Sequence, residues 1–305
     1  MKRLIPWFCL GLLLTGCSPA PSQNQTPPIP ANKQTAPTSA AAAQPTQGTQ
    51  ANRFQEVMVV DNEDTAIYIT DFREDPIWGW VLDVFLENKS DEDVLLFSVD
   101  SASVNGVEVL PMFSAQVAPG KKAKEQIVLS DTSLKSHDIG LYSDIALQFC
   151  VSDAQDWMEE AVARPRIHVY PYGAGNAAPY SRPSQPADQI LANNEAVTVT
   201  VIGYRSDPIW GYTVELFLEN HTDQRVMFSA ENASVNGYMA DPLYAASVGG
   251  GNCAFSTMSW SDAALEELGI TQIEAVEFIL RAVHETDWTA EDILSQSVTL
   301  NPPGQ

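Results

Sequence analysis

Asp75-Pro76-Ile77-Trp78-Gly79-Trp80 recurs later in the chain as Asp207-Pro208-Ile209-Trp210-Gly211-Tyr212. The flanking sequence repeats with it. Phe85-Leu86-Glu87-Asn88 returns as Phe217-Leu218-Glu219-Asn220, Ala102-Ser103-Val104-Asn105-Gly106 as Ala233-Ser234-Val235-Asn236-Gly237, and Asp156-Trp157 as Asp287-Trp288. The offset is 132 residues at the first motifs and 131 after one deleted loop residue. Self-similarity at a fixed spacing marks a duplicated structural unit. It divides the chain into repeat 1, residues 54–173, and repeat 2, residues 188–305. Between them, residues 174–187 are rich in Gly, Pro, Ser and Ala and read as a hinge.

Within each repeat the apolar pattern has period two, which is the strand signal. Ala66 to Thr70, Trp78 to Leu86, Val94 to Val99, Ile127 to Leu129, Ile145 to Val151 and Ile167 to Val169 read as strands in repeat 1. Repeat 2 matches them with Val197 to Ile202, Trp210 to Leu218, Val226 to Phe228, Phe255 to Met258, Ala275 to Ala282 and Ser297 to Leu300. Asn105-Gly106 between two apolar runs is a hairpin signal, because a type I′ turn needs positive φ at both positions. One short helix interrupts each series, opened by Ser130-Asp131 and Ser261-Asp262 and closed by Gly140 and Gly269. The expected fold is all-β: two tandem immunoglobulin-like antiparallel β-sandwiches, each with one short helix, after a disordered tether. A β-barrel is the competing architecture.

The N-terminus carries targeting signals. Lys2 and Arg3 precede an apolar run from Ile5 to Leu14, which has the layout of a secretory signal over residues 1–16 and is too short to span a bilayer. Leu14-Thr15-Gly16-Cys17 resembles the bacterial lipobox. That resemblance implies cleavage before Cys17 and a diacylglycerol thioether on it, hence attachment to the membrane through the lipid anchor. Residues 17–53 then form a linker of Pro, Ser, Thr, Gln, Asn and Ala, with Ile29 its only large apolar residue. Such a stretch cannot bury enough to offset its ordering entropy, so it reads as a disordered tether. The whole chain of 305 residues has 16 basic against 39 acidic residues, a net charge of −23. So acidic a chain argues against nucleic acid, whose phosphates need a basic face.

The set Trp-Gly-[Trp/Tyr], Phe-Leu-Glu-Asn, Ser-Val-Asn-Gly and a late Asp-Trp, over both repeats, resembles the immunoglobulin-like repeats of Firmicutes lipoproteins and surface proteins. The resemblance implies the cell envelope, on the extracytoplasmic face of a bacterial membrane, and no particular activity. The Cys-Trp-Cys pattern of antibody domains is absent, so it extends to architecture alone.

Signatures of enzymes are missing: the sequence has no G-x-S-x-G elbow, H-E-x-x-H, Walker loop or C-x-x-C. His137, His168, His221 and His284 are not repeated between the copies. The chain therefore reads as no enzyme, with a calcium-dependent extracytoplasmic hydrolase the least favoured alternative. Cys150 and Cys253 are not equivalent positions; they are either two separate thiols or a clamp between the repeats. No cofactor is expected. Acidic clusters at Asp61-Asn62-Glu63-Asp64, at Asp91-Glu92-Asp93 and at Asp71, Glu74 and Asp75 offer hard oxygen ligands for Ca²⁺, but the twelve-residue calcium loop is absent, and a solvated acidic loop is the plainer reading.

Aromatic residues remain. In each pair, Trp78/Trp80 and Trp210/Tyr212, one member is read as facing inward and the other outward. Trp78 and Trp210 are assigned to the core. Trp80 and Tyr212 are assigned to the sheet surface, where they are the candidate partner-binding residues. The expected function is an envelope-anchored binding or interaction module for a protein or glycan. A passive spacer or accessory subunit of an envelope complex is the alternative.

Overall fold

The computed structural model describes residues 54–130, 132–156, 160–287 and 289–302. The signal segment, Cys17, the tether, Trp157 and Trp288 lie outside the described residues. Repeat 1 contains β1 (Val57–Asp61), β2 (Thr65–Asp75), β3 (Gly79–Asn88), β4 (Leu95–Val104), β5 (Val107–Val109), β6 (Pro111–Met112), β7 (Ser114–Val117), β8 (Lys122–Leu129), α1 (Thr132–Ser136), β9 (Ile145–Asp153) and β10 (Arg166–Val169). Repeat 2 contains β11 (Gln189–Asn193), β12 (Val197–Asp207), β13 (Gly211–Asn220), β14 (Val226–Val235), β15 (Tyr238–Met239), β16 (Ala245–Val248), β17 (Cys253–Trp260), α2 (Asp262–Glu267), β18 (Val276–His284) and β19 (Leu294–Leu300).

In repeat 1, β1–β2–β3–β8 form one sheet, with β6 beside the end of β8. The order β10–β9–β4 forms the other, with β5 and β7 beside β4. The chain thus leaves β3 for β4 and later returns, β8 to β3 and β9 to β4. That crossing is the Greek-key return of an immunoglobulin-like sandwich. Repeat 2 follows the same path with β11–β12–β13–β17 and with β19–β18–β14. The sheets stay open, so the barrel alternative falls. Bulges recur as well: the register slips at Met58/Val60 and Ile69/Asp71 return at Ile190/Ala192 and Val201/Gly203. A bulge adds twist and redirects side chains, so its recurrence shows the duplicated backbone kept its shape. Each repeat encloses its own core. Ile67, Leu82, Phe97, Ile127 and Phe149 are fully buried in the first, and Val199, Val214, Phe228 and Leu280 in the second.

The repeated asparagines hold the frame. Asn88 is fully buried at the end of β3; its amide donates to the carbonyls of Asp93 (2.8 Å) and Val117 (2.8 Å), and its Oδ1 accepts from the Ser90 N–H (2.9 Å). Asn220 repeats this with Gln224 (2.7 Å), Val248 (2.9 Å) and Thr222. Asn105 and Gly106 have φ of 53° and 80°, and Asn236 and Gly237 have 50° and 82°, the two positive values of a type I′ turn. From that turn, Asn105 Oδ1 accepts from the N–H and Oγ of Ser143 and the N–H of Asp144, while its Nδ2 donates to the Leu141 carbonyl. Asn236 clamps Gln272, Glu274 and Ala275 in the same way.

The connector, residues 174–187, whose composition reads as a hinge, makes contacts with both repeats. The Tyr180 N–H donates to the Asn105 carbonyl (2.7 Å), and the Ala178 N–H to Ser143 Oγ (3.1 Å). The Tyr180 ring packs edge-on against Phe217 and Phe255. Arg182 forms a two-pronged pair with Asp188 (2.7 and 2.8 Å) and covers the Phe217 ring. The repeats also touch directly. β5 pairs in parallel with β17 through Val107 and Cys253, and the Cys253 N–H donates to the Gly106 carbonyl (2.8 Å). Glu108 accepts from the Gly249 N–H (2.9 Å) and Asn252 Nδ2 (2.8 Å), with Arg225 Nη1 at 3.5 Å. His137, just after α1, stacks on Phe255 at 3.4 Å. Cys150 and Cys253 are both free thiols, so no disulfide clamps this joint.

Candidate functional site

The Asp-Pro-Ile-Trp-Gly motif is the tip of the β2–β3 hairpin, and of β12–β13 in repeat 2. Asp75 Oδ1 accepts from the N–H groups of Ile77 (2.9 Å) and Trp78 (3.0 Å), and Asp207 does the same for Ile209 (2.9 Å) and Trp210 (3.0 Å). This is a side chain standing in for a backbone turn. Gly79 and Gly211 follow, both with φ of 73°. At Gly211 the space is closed as well, since a β-carbon would lie 2.3 Å from the Trp260 carbonyl oxygen.

An arginine braces each tip from the strand. Arg73 binds Asp83 through Nε (2.9 Å) and Nη2 (3.1 Å) and reaches Asp75 through Nη1 (3.3 Å). Arg205 likewise binds Glu215 (2.9 Å) and pairs closely with Asp207. These contacts hold both carboxyls below the usual range. For Asp75 the chief cause is the Ile77 N–H, followed by that of Trp78. Asp207 is lowered to about 2, chiefly by Arg205 and then by the N–H groups of Ile209 and Trp210.

What the braces present is apolar. Ile77 is 81 % exposed and Trp78 55 %; Ile209 is 78 % exposed and Trp210 52 %. Met112 and Leu243, at equivalent positions beside the ends of β8 and β17, are exposed too. Burying an isoleucine or a tryptophan of this kind against a partner is worth about 1.5–3 kcal/mol per side chain, and a preorganised tip loses little entropy in doing so.

The expected faces are therefore reversed. Trp80 points inward, stacking on Phe72 (4.7 Å) and leaning on Tyr142 (5.5 Å) against the first core. Tyr212 is 4 % exposed in the second core, between Tyr204 and Trp260, and burial pushes its phenol upward. Tyr212 is thus off the surface, and Trp80 is half-buried. Residues two apart on a strand share a face, so alternation does not separate the pairs; they are separated because Trp78 and Trp210 belong to the turn. The strand begins at the glycine. Solvent-facing Asp83 and Glu87, and Glu215 and Glu219, set the parity and place positions 80 and 212 inward.

The other candidates are dispersed. Asp61 is tied to Lys89 and Tyr68, and Asn62 caps the turn into β2. Among the described residues, no group of three or more His, Cys, Asp or Glu could hold a metal ion. His168 pairs with Asp144, His221 contacts Thr198 and His137 lies in the joint, so the histidines form no common site.

No protein-family model matches the chain, and no curated protein matches it. Among solved structures, the YadV chaperone aligns over 72 % of this chain and 92 % of its own, at 12 % identity and a TM-score of 0.23. The CsuC–CsuE chaperone–tip adhesion subunit pre-assembly complex from Csu pili of Acinetobacter baumannii aligns over 75 % and 97 %, at 13 % identity and a TM-score of 0.22. Red sea bream transglutaminase aligns over 83 % of this chain and 31 % of its own, at 12 % identity and a TM-score of 0.21. At these scores the fold assignment rests on the strand order itself.

Proposed function

We propose that this chain is an envelope lipoprotein, anchored through Cys17 to the extracytoplasmic face of a bacterial membrane, whose tandem sandwiches form a binding module. Its contact points are the two hairpin tips, and its partner is a protein. One observation carries this reading. Within the repeated motif, Asp75 caps the turn, Gly79 supplies the positive φ and Trp80 packs against the core. Ile77 and Trp78 do none of this, yet both copies keep an isoleucine and a tryptophan there, exposed. An exposed apolar pair on a braced turn has the makings of an interface anchor.

The test is in-cell photo-crosslinking with the probe at Ile77, separately at Ile209, and at exposed Met58 as the control. A discrete adduct at a tip and not at Met58 supports the reading. No adduct at either tip, with the protein at its normal level, refutes it and leaves a spacer. The anchor is tested apart from this, since Cys17→Ala is expected to move the chain from the membrane to the soluble fraction.

A further inference from the structure

The joint between the repeats uses one face of repeat 2, and among the described residues no other element covers the equivalent face of repeat 1. In repeat 2 the outer face of β13 and β17 carries Phe217 and Phe255. Phe217 is buried there, under Tyr180 and Arg182 of the connector, while His137 of repeat 1 stacks on Phe255. The cavity left at that joint is about 280 Å³. In repeat 1 the matching positions are Phe85 and Lys124. They line a groove of about 920 Å³ with Tyr68, Thr70 and Gln126. β8 pairs with β6 only at Val128 and Leu129, so its edge from Lys122 to Gln126 lacks the neighbour that Val107 gives to Cys253 in repeat 2.

The complementary end is also present and exposed. Repeat 1 enters the joint with the turn Asn105-Gly106, with Val107 and Glu108, and with His137 after α1. The matching end of repeat 2 offers Asn236-Gly237, Tyr238 and Met239, and Leu268 after α2. Tyr238 and Met239 are exposed and Leu268 is half-buried. Charge favours their meeting. α2 ends in exposed Glu266 and Glu267, whereas the open face carries exposed Lys121, Lys122 and Lys124, a basic cluster in a chain of net charge −23. Glu56, Asp83 and Glu125 also border the groove; Asp83 is tied to Arg73, and Lys122 pairs with Glu87 (3.2 Å) and lies over the Phe85 ring. The chain's own preceding segment is a poorer occupant, because Gly48 and Gln50 stand where repeat 2 has Tyr180 and Arg182.

We infer that the open face of repeat 1 receives the far end of repeat 2 from a second copy of this chain, in the placement of the internal joint but through different side chains, with Met239 where Glu108 stands and Lys124 where Phe255 stands. Such a contact is heterologous, so it propagates head to tail instead of closing as a symmetric dimer. It is independent of the hairpin-tip reading, because it uses β8 and α2 and neither tip.

The experiment places Lys124→Cys and Leu268→Cys, the equivalents of the Phe255–His137 stack, in the full chain on whole cells, with oxidation and non-reducing gels. The chain carrying both is expected to give a ladder of multimers. A mixture of the two single variants should give dimers, and each single variant alone no more than the parent chain with its native Cys150 and Cys253. Adding Glu266→Lys and Glu267→Lys should remove the ladder, and Lys121→Glu with Lys122→Glu should restore it. Four results overturn the inference: no ladder, a ladder indifferent to charge reversal, a dimer from Lys124→Cys alone, or a shifted monomer band showing that the groove is filled by the same chain.

Discussion

Replacing Asn105 separates two roles of one side chain. It sits at φ 53°, 8 % exposed, and engages in four hydrogen bonds to the loop before β9: from Ser143 N–H (2.9 Å), Ser143 Oγ (2.8 Å) and Asp144 N–H (3.1 Å), and to the Leu141 carbonyl (2.6 Å). Asn105→Gly keeps the backbone conformation and removes the clamp. A net contribution of about 1 kcal/mol for each of the four bonds gives a loss of about 4 kcal/mol. In a protein this size that lowers Tm by about 8–16 °C. Asn105→Ala loses the same clamp and adds the left-handed penalty of about 1–2 kcal/mol, less the about 0.5–1 kcal/mol of chain freedom that only glycine gives up on folding. It should therefore be the worse variant by up to about 1 kcal/mol. Urea denaturation followed by far-UV circular dichroism measures both. A loss under about 1 kcal/mol for Asn105→Gly would mean the loop finds water as good a partner as the clamp. An alanine variant no worse than glycine would refute the strained turn.

Other consequences can be measured on the same protein. Ile77→Ser and Ile209→Ser are expected to change stability by less than about 0.5 kcal/mol, which separates display from folding; a large loss in either would mean the tip is packed. Asp207 has a folded pKa of about 2, below its ordinary value, so its contribution to stability is present above about pH 4 and is lost as pH falls toward 2. Carboxyl NMR should show that low midpoint, and Arg205→Met should move it up; an unmoved midpoint would exclude Arg205 as the chief cause. Burial pushes the Cys253 thiol up to about 12, so a disulfide reagent at pH 8 should label it slowly in the native chain. Glu108→Ala removes the acceptor for Gly249, Asn252 and Arg225 and should speed that labelling; an unchanged rate would show that Glu108 does not hold the joint closed. Gly250→Ala puts a β-carbon 2.4 Å from the Asp223 carbonyl, so limited proteolysis should cut its loop faster than in the parent.

The sandwich was legible because its signals are local. Period-two runs, an Asn-Gly turn and a capped helix each announce themselves within a few residues, and having two copies let the motifs check one another. The hairpin tip was misread for a local reason too: the run Trp78-Gly79-Trp80 looks like strand, and only the glycine's positive φ puts the first tryptophan in the turn. The joint was illegible because its partners are far apart in sequence. Glu108 meets Gly249 and Asn252, and nothing near any of them in the chain foretells it. The composition of the connector is likewise blind to the Tyr180 ring, which packs against Phe217 and Phe255.

A signal for the joint did exist, in the places where the copies disagree. Glu108 stands against Met239, His137 against Leu268, Phe255 against Lys124, and Gly249 and Gly250 against Ala118 and Pro119. A duplicated fold has to keep what holds each copy together, so shared residues describe the sandwich and its turns. It need not keep what holds one copy to the other, because each joint face is used once within the chain. Divergence therefore marks the interface. The glycines show why the change was required: a β-carbon at Gly249 would lie 2.7 Å from Glu108 Oε1, and one at Gly250 would strike the Asp223 backbone. By the same logic, Ile77-Trp78 and Ile209-Trp210 are shared without holding anything together. Their retention calls for a cause outside the fold, and the binding proposed for each tip would supply one.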